Sequence, residues 1–68
     1  MGLSARNQIP GTVREVRLGD VMAHVVVAVG EHTVESLISR ASAEEMNLRA
    51  GDPVTVVIKS TEVMIRKD

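Results

Sequence analysis

The chain contains no cysteine, phenylalanine, tyrosine or tryptophan. Without cysteine there is neither a disulfide framework nor a thiolate zinc site. Without aromatics the core loses the side chains that bring the largest buried area. It also loses the stacking platforms that hold single-stranded nucleic acid. Histidine is scarce: His24 and His32 are too few for a structural metal site and have no Cys or acidic partner at ligand spacing, so they read as structural or surface residues. No apolar run approaches the ~20 residues that span a bilayer, and the N-terminus lacks the basic and apolar regions of a secretory signal. Eight basic residues against nine acidic ones give a net charge of −1, without the basic stripe of a nucleic-acid binder. These absences predict a cytoplasmic protein that binds neither membrane nor nucleic acid and ligates no metal cation directly.

What is present is aliphatic. Valine dominates, with Ala, Ile, Leu and Met beside it, and β-branched residues favour strands. The 68 residues form one domain, 1–68, at the small end of independent folding. Chains of about 60 residues bury only about 60% of the surface exposed by their unfolded form. With no disulfide or metal to supplement such a core, oligomerisation is the expected source of further stability.

Periodicity divides the chain into short elements. Residues Asn7 to Arg17 alternate imperfectly, and Pro10-Gly11 suggests a bulge or an edge position. Leu18-Gly19-Asp20 reads as a turn. Val21 to Val29 is strongly apolar, with Ala23, Val25, Val27 and Val29 on one face. Gly30-Glu31 then turns the chain into a third strand, His32 to Ile38. Ser42-Ala43-Glu44-Glu45 fits a capping box for a helix from Ala43 to Leu48, which places both glutamates in its first turn. Val54 to Lys59 and Glu62 to Arg66 read as two more strands joined through Ser60-Thr61. Met22, Met46 and Met64 read as gap-fillers in the core. The fold class is therefore all-β with one short helix, and five short strands with a helix after the third is the plan of an OB-like barrel.

Two blocks do not read as scaffold. Ser4-Ala5-Arg6-Asn7-Gln8 stands where the first strand begins, and Lys59-Ser60-Thr61-Glu62-Val63-Met64-Ile65 follows the fourth. Each combines one fixed positive charge with small hydroxyl or amide donors, the chemistry that a tetrahedral oxyanion requires. Such an anion accepts hydrogen bonds on all its oxygens and donates none. Bonds from a charged donor are roughly twice as strong as neutral ones, so one Arg or Lys per pocket is sufficient anchorage. Arg6 and Lys59 are the candidate anchors, with Ser4, the backbone at Ala5, and Ser60 as neighbouring donors. No nucleophile–base pair, carboxylate dyad or cofactor fingerprint is present, so no enzymatic activity is expected.

The pairing of these two blocks in so short a chain resembles the molbindins, the small Mop proteins that bind molybdate and tungstate. The likeness extends over essentially the whole chain. It implies a five-stranded OB-like barrel of the Mop/TOBE type whose N-terminal strand is exchanged between subunits. It further implies a homo-oligomer, a hexamer built as a trimer of dimers, with oxyanions at subunit interfaces. Ser4, Ala5, Arg6, Lys59 and Ser60 would then be joined by Ser39 and Ser42 of the helix start, contributed by a neighbouring subunit. Asn7, Gln8 and Thr61 would line a second kind of site, unless the carboxamides of Asn7 and Gln8 instead satisfy backbone groups in the exchanged strand. The implied role is cytoplasmic storage or homeostasis of molybdate, and of tungstate, as a bound ligand without any covalent cofactor. The alternative role is a ligand-sensing accessory module acting through a protein partner.

Overall fold

Valine-rich alternation produces four strands, as seen in a computed structural model that describes residues 2–68. They are β1 (Asn7–Leu18), β2 (Met22–Val29), β3 (His32–Ser39) and β4 (Pro53–Ile58); the helix α1 (Arg40–Glu45) lies between β3 and β4. The strands form one antiparallel sheet in the order β3-β2-β1-β4. Gly30, at φ 60°, supplies the positive φ of the two-residue turn from β2 into β3, which suits a first central turn position held by glycine. One face of the sheet carries the core, where Val13, Val25 and Val27 are buried and Val16, Val29, Ile38, Leu48, Val54 and Val56 pack around them.

The imperfect alternation of β1 has a local cause. Its pairing with β2 steps from Val13 opposite Val27 to Glu15 opposite Val26. Arg14 is thus the extra residue of a β-bulge, and the inward set changes from odd to even positions as it passes. The bulge sits at Arg14, and Pro10-Gly11 occupies the edge position. Val13 N–H donates to Asp52 O at 2.8 Å, and Gly51 N–H donates to Val13 O at 2.7 Å. Because hydrogen-bonded and non-bonded pairs alternate in an antiparallel ladder, odd-numbered residues from Asn7 to Val13 turn their backbone groups toward β4. Pro10 turns its nitrogen the other way, past the end of the β2 pairing at Thr12, so its missing N–H removes no ladder bond. Gly11 is required by close approach, since a Cβ there would lie 2.7 Å from Ala28 O and 2.8 Å from Val27 Cγ1.

The helix starts three residues earlier than the capping-box pattern implies. Arg40 N–H is tied to Val21 O at 2.8 Å, and its guanidinium donates to Gly19 O and pairs with Glu44. These tertiary bonds fix the start directly after β3, so Ser39 becomes the N-cap and accepts from Ser42 N–H. Glu44 and Glu45 accordingly lie in the last turn, away from the position where the helix dipole favours acid. The helix ends on Met46 with Asn47 at φ 51°. Leu48 N–H bonds to Ala43 O and Asn47 N–H to Glu44 O, the paired bonds of a Schellman motif with Asn at the left-handed position.

Two further expectations are corrected. Residues Glu62 to Arg66 form no strand: Ser60–Glu62 is a single 3-10 turn, and beyond it the chain meets no neighbouring strand. Val63, Met64 and Ile65 stand exposed as a result. The barrel is therefore not closed within one chain; the sheet is four-stranded with β3 and β4 as edges. Strand β1 pairs with β2 and β4 within the chain. The methionines are not core fillers either, because Met22, Met46 and Met64 are all exposed.

Candidate functional site

Strand register brings the two polar blocks together. Asn7 lies opposite Ile58 at the last step of the β1–β4 ladder, so Arg6 and Lys59 are the next residues outward on adjacent chain segments. The N-terminal block bends at Ser4, and the Ala5 side chain tucks into the protein at 8% exposure. That anchor leaves Ser4 and Arg6 on the surface on either side of it. On the other segment Lys59 is extended and caps the 3-10 turn, whose closing bond runs from Glu62 N–H to Lys59 O at 2.9 Å. The Ser60 and Thr61 side chains are exposed along that turn.

Charge at this end is uncompensated. Arg17, Arg40 and Arg66 each pair with a carboxylate, whereas among the described residues neither Arg6 nor Lys59 forms an ion pair. Two cations left side by side repel each other, an arrangement that an anion between them would relieve. The hydroxyls of Ser4, Ser60 and Thr61 can donate to the same anion. What the arrangement offers chemically is positive charge and hydroxyl donors, which suit the binding of an anion.

The carboxamides are engaged with backbone. Asn7 Nδ2 donates to Ile58 O at 3.1 Å, and Gln8 Nε2 donates to Ala5 O at 3.2 Å. Sequence reasoning offered both residues either a second ligand site or the satisfaction of backbone groups, and these bonds are of the second kind. Which groups they meet was not visible there, because the Asn7–Ile58 pairing depends on strand register rather than on either block alone.

Ser39 and Ser42 lie elsewhere. Ser39 is opposite Met22, at the end of the sheet where β1 finishes at Leu18. At about 3.3 Å per residue, the length of β1 separates this serine pair from Arg6 and Lys59 by on the order of 30 Å. One chain therefore does not assemble all the residues in a single pocket. The serines are bonded to each other: Ser39 Oγ donates to Ser42 Oγ at 2.8 Å and accepts from Ser42 N–H at 3.0 Å. Ser42 keeps its own hydroxyl proton for an outside acceptor. Among the described residues no cluster of three or more His, Cys, Asp or Glu is placed to hold a metal ion. No helix there is long and apolar enough to cross a membrane.

Comparison with known proteins gives consistent matches over nearly the full length. The TOBE domain family matches residues 3–65. Molybdenum-pterin-binding protein 3 of Clostridium pasteurianum is 47% identical over 66 residues, covering 96% of this chain and 97% of that protein. A molybdate-binding protein from Sporomusa ovata has a solved structure that superposes with a TM-score of 0.95 at 34% identity, covering 98% of this chain and 100% of that one. The cytoplasmic molybdate-binding protein ModG, solved with molybdate bound, superposes with a TM-score of 0.82 at 33% identity, covering 88% of this chain and 43% of that one.

Proposed function

The chain belongs to the TOBE domain family, and from that premise we propose that it is a molybdate-binding protein, not an enzyme, whose site is anchored by Arg6 and Lys59. The observation that carries this reading is the meeting of two carboxylate-free cations and three exposed hydroxyls at the end of the β1–β4 ladder. Ser4, the backbone at Ala5, Ser60 and Thr61 supply further donors around them. Tungstate has nearly the same size and charge and would be held by the same donors. The role is cytoplasmic storage or homeostasis of the oxyanion.

The site is completed between subunits. Ser39 and Ser42, distant from Arg6 within one chain, join it from a neighbouring copy. Surface area supports this assembly. The chain exposes 5628 Å², whereas a compact monomer of its 7.3 kDa mass exposes about 4,200 Å². The excess of about 1,400 Å² is larger than the ~800 Å² each partner contributes to a standard interface. A hexamer built from three dimers accommodates such an excess in two kinds of contact.

Isothermal titration with molybdate, tungstate, sulfate and phosphate tests the proposal. Saturable heat is expected with molybdate and tungstate. Its absence with both anions overturns the functional reading.

A further inference from the structure

The end of the sheet that carries Ser39 holds a small apolar groove on its outer face. Val25 and Val27 are buried on one face of β2, so His24 and Met22 turn to the other, because strand side chains alternate. Arg17 of β1 and Leu37 of β3 flank His24, and Met22 lies opposite Ser39. With Leu18 and Gly19 these residues line a groove of about 240 Å³, above the roughly 150 Å³ of a cavity that holds benzene. Leu18, Met22 and Leu37 are all exposed. The polar rim is already engaged, Arg17 with Glu15 at 3.0 Å and His24 with Glu35 at 2.7 Å, so it leaves the groove to an apolar occupant.

Leu3 stands 60% exposed directly before Ser4. It cannot reach the groove of its own chain, because β1 between them spans on the order of 30 Å. The site proposed above brings Ser4 and Arg6 of one copy against Ser39 and Ser42 of a neighbour. That approach carries Leu3, one residue from Ser4, to the groove that borders Ser39. We propose that Leu3 of a second copy seats in this groove and is the apolar anchor of the contact that completes the oxyanion site. The inference rests on the proposed completion between subunits and names the residue that holds the two halves together. The surface excess described above leaves area for this contact, since it is larger than a standard interface takes from each partner. An apolar anchor in a pocket with a polar rim is the arrangement in which a few residues carry most of the binding energy.

The absence of native cysteine permits a direct test. The full chain with Leu3→Cys and Leu37→Cys cannot close a disulfide within itself, because Cα atoms more than about 7 Å apart are not bridged. Mild oxidation should instead join position 3 of one chain to position 37 of another, as read by peptide mass spectrometry. Saturating molybdate should raise the yield. Leu3→Cys with Thr33→Cys, an exposed position on the same face of β3, is the control and should yield far less. Leu3→Ala should raise the molybdate dissociation constant about tenfold in calorimetry at one protein concentration, the scale of one buried leucine side chain. Leu3→Met, which keeps the apolar volume, should bind as the unsubstituted chain does. No link between positions 3 and 37, or a link to position 33 formed as readily, overturns the anchor. So does unchanged affinity in Leu3→Ala. A link between positions 3 and 37 in a chain that gives no heat with molybdate keeps the contact and strikes the functional reading instead.

Discussion

At the scale of single residues, the proposed site depends on two cations that no ion pair occupies among the described residues. Surface pairs such as Arg17–Glu15 at 3.0 Å contribute little because both partners are solvated. Arg6 and Lys59 stay available because register, not local sequence, sets them side by side. Arg6→Ala and Lys59→Ala should each weaken molybdate binding by about 1.5–3 kcal/mol, the range for hydrogen bonds to charged groups, as measured by calorimetry at fixed ionic strength. Both sites are exposed, so the ligand-free melting temperature should barely move. Unchanged affinity in both variants removes the cations from the site.

At the scale of elements, the strands were legible in the sequence and the helix start was not. Ala23, Val25 and Val27 alternate cleanly and are buried in the structure, and Gly30-Glu31 marks its turn unaided. The helix boundary depends instead on bonds from Arg40 to Val21 and Gly19, residues about twenty positions earlier that no local pattern connects to it. Ser42 carries the better capping-box spacing, yet Ser39 occupies the cap. The last apolar stretch was misread for a similar reason: Val63-Met64-Ile65 has strand-like composition, but a strand forms only against a neighbour. Of the candidate site, the two blocks and their donors could be read directly, whereas the Asn7–Ile58 pairing and the remoteness of Ser39 needed the fold. The helix assignment has a direct consequence. Ser39→Ala should cost about 1 kcal/mol of stability through loss of the cap, and Ser42→Ala clearly less, in denaturant titrations at one protein concentration. Equal costs would return the cap to shared duty between the serines.

At the scale of the whole molecule, a single copy is more extended than its length requires. Its radius of gyration is 12.7 Å, against about 11 Å for a compact chain of this length. An apolar groove lined by Val34, Ile38, Met46, Leu48, Val54 and Val56 runs beside the buried valines, and the tail stands free with Met64 at 92% and Ile65 at 88% exposure. These features support the proposed assembly of several copies. An exposed tail of strand composition and two unpaired sheet edges are complementary, since an extended segment adds readily to a free edge. A tail that crosses to a second copy is therefore part of the proposed assembly. Sedimentation velocity should show an oligomer for the unsubstituted chain at micromolar concentration. Met64→Asp with Ile65→Asp should shift it to smaller species, because burying two carboxylates in an apolar contact is strongly unfavourable. If Ser39 and Ser42 complete the site across that contact, the same double variant must also lose molybdate affinity although it alters no proposed ligand residue. Saturating molybdate should conversely strengthen assembly of the unsubstituted protein, by about 2.7 kcal/mol at one hundred times the dissociation constant for a single site. Dissociation without loss of affinity would place the complete site within one chain and leave the two serines out of it.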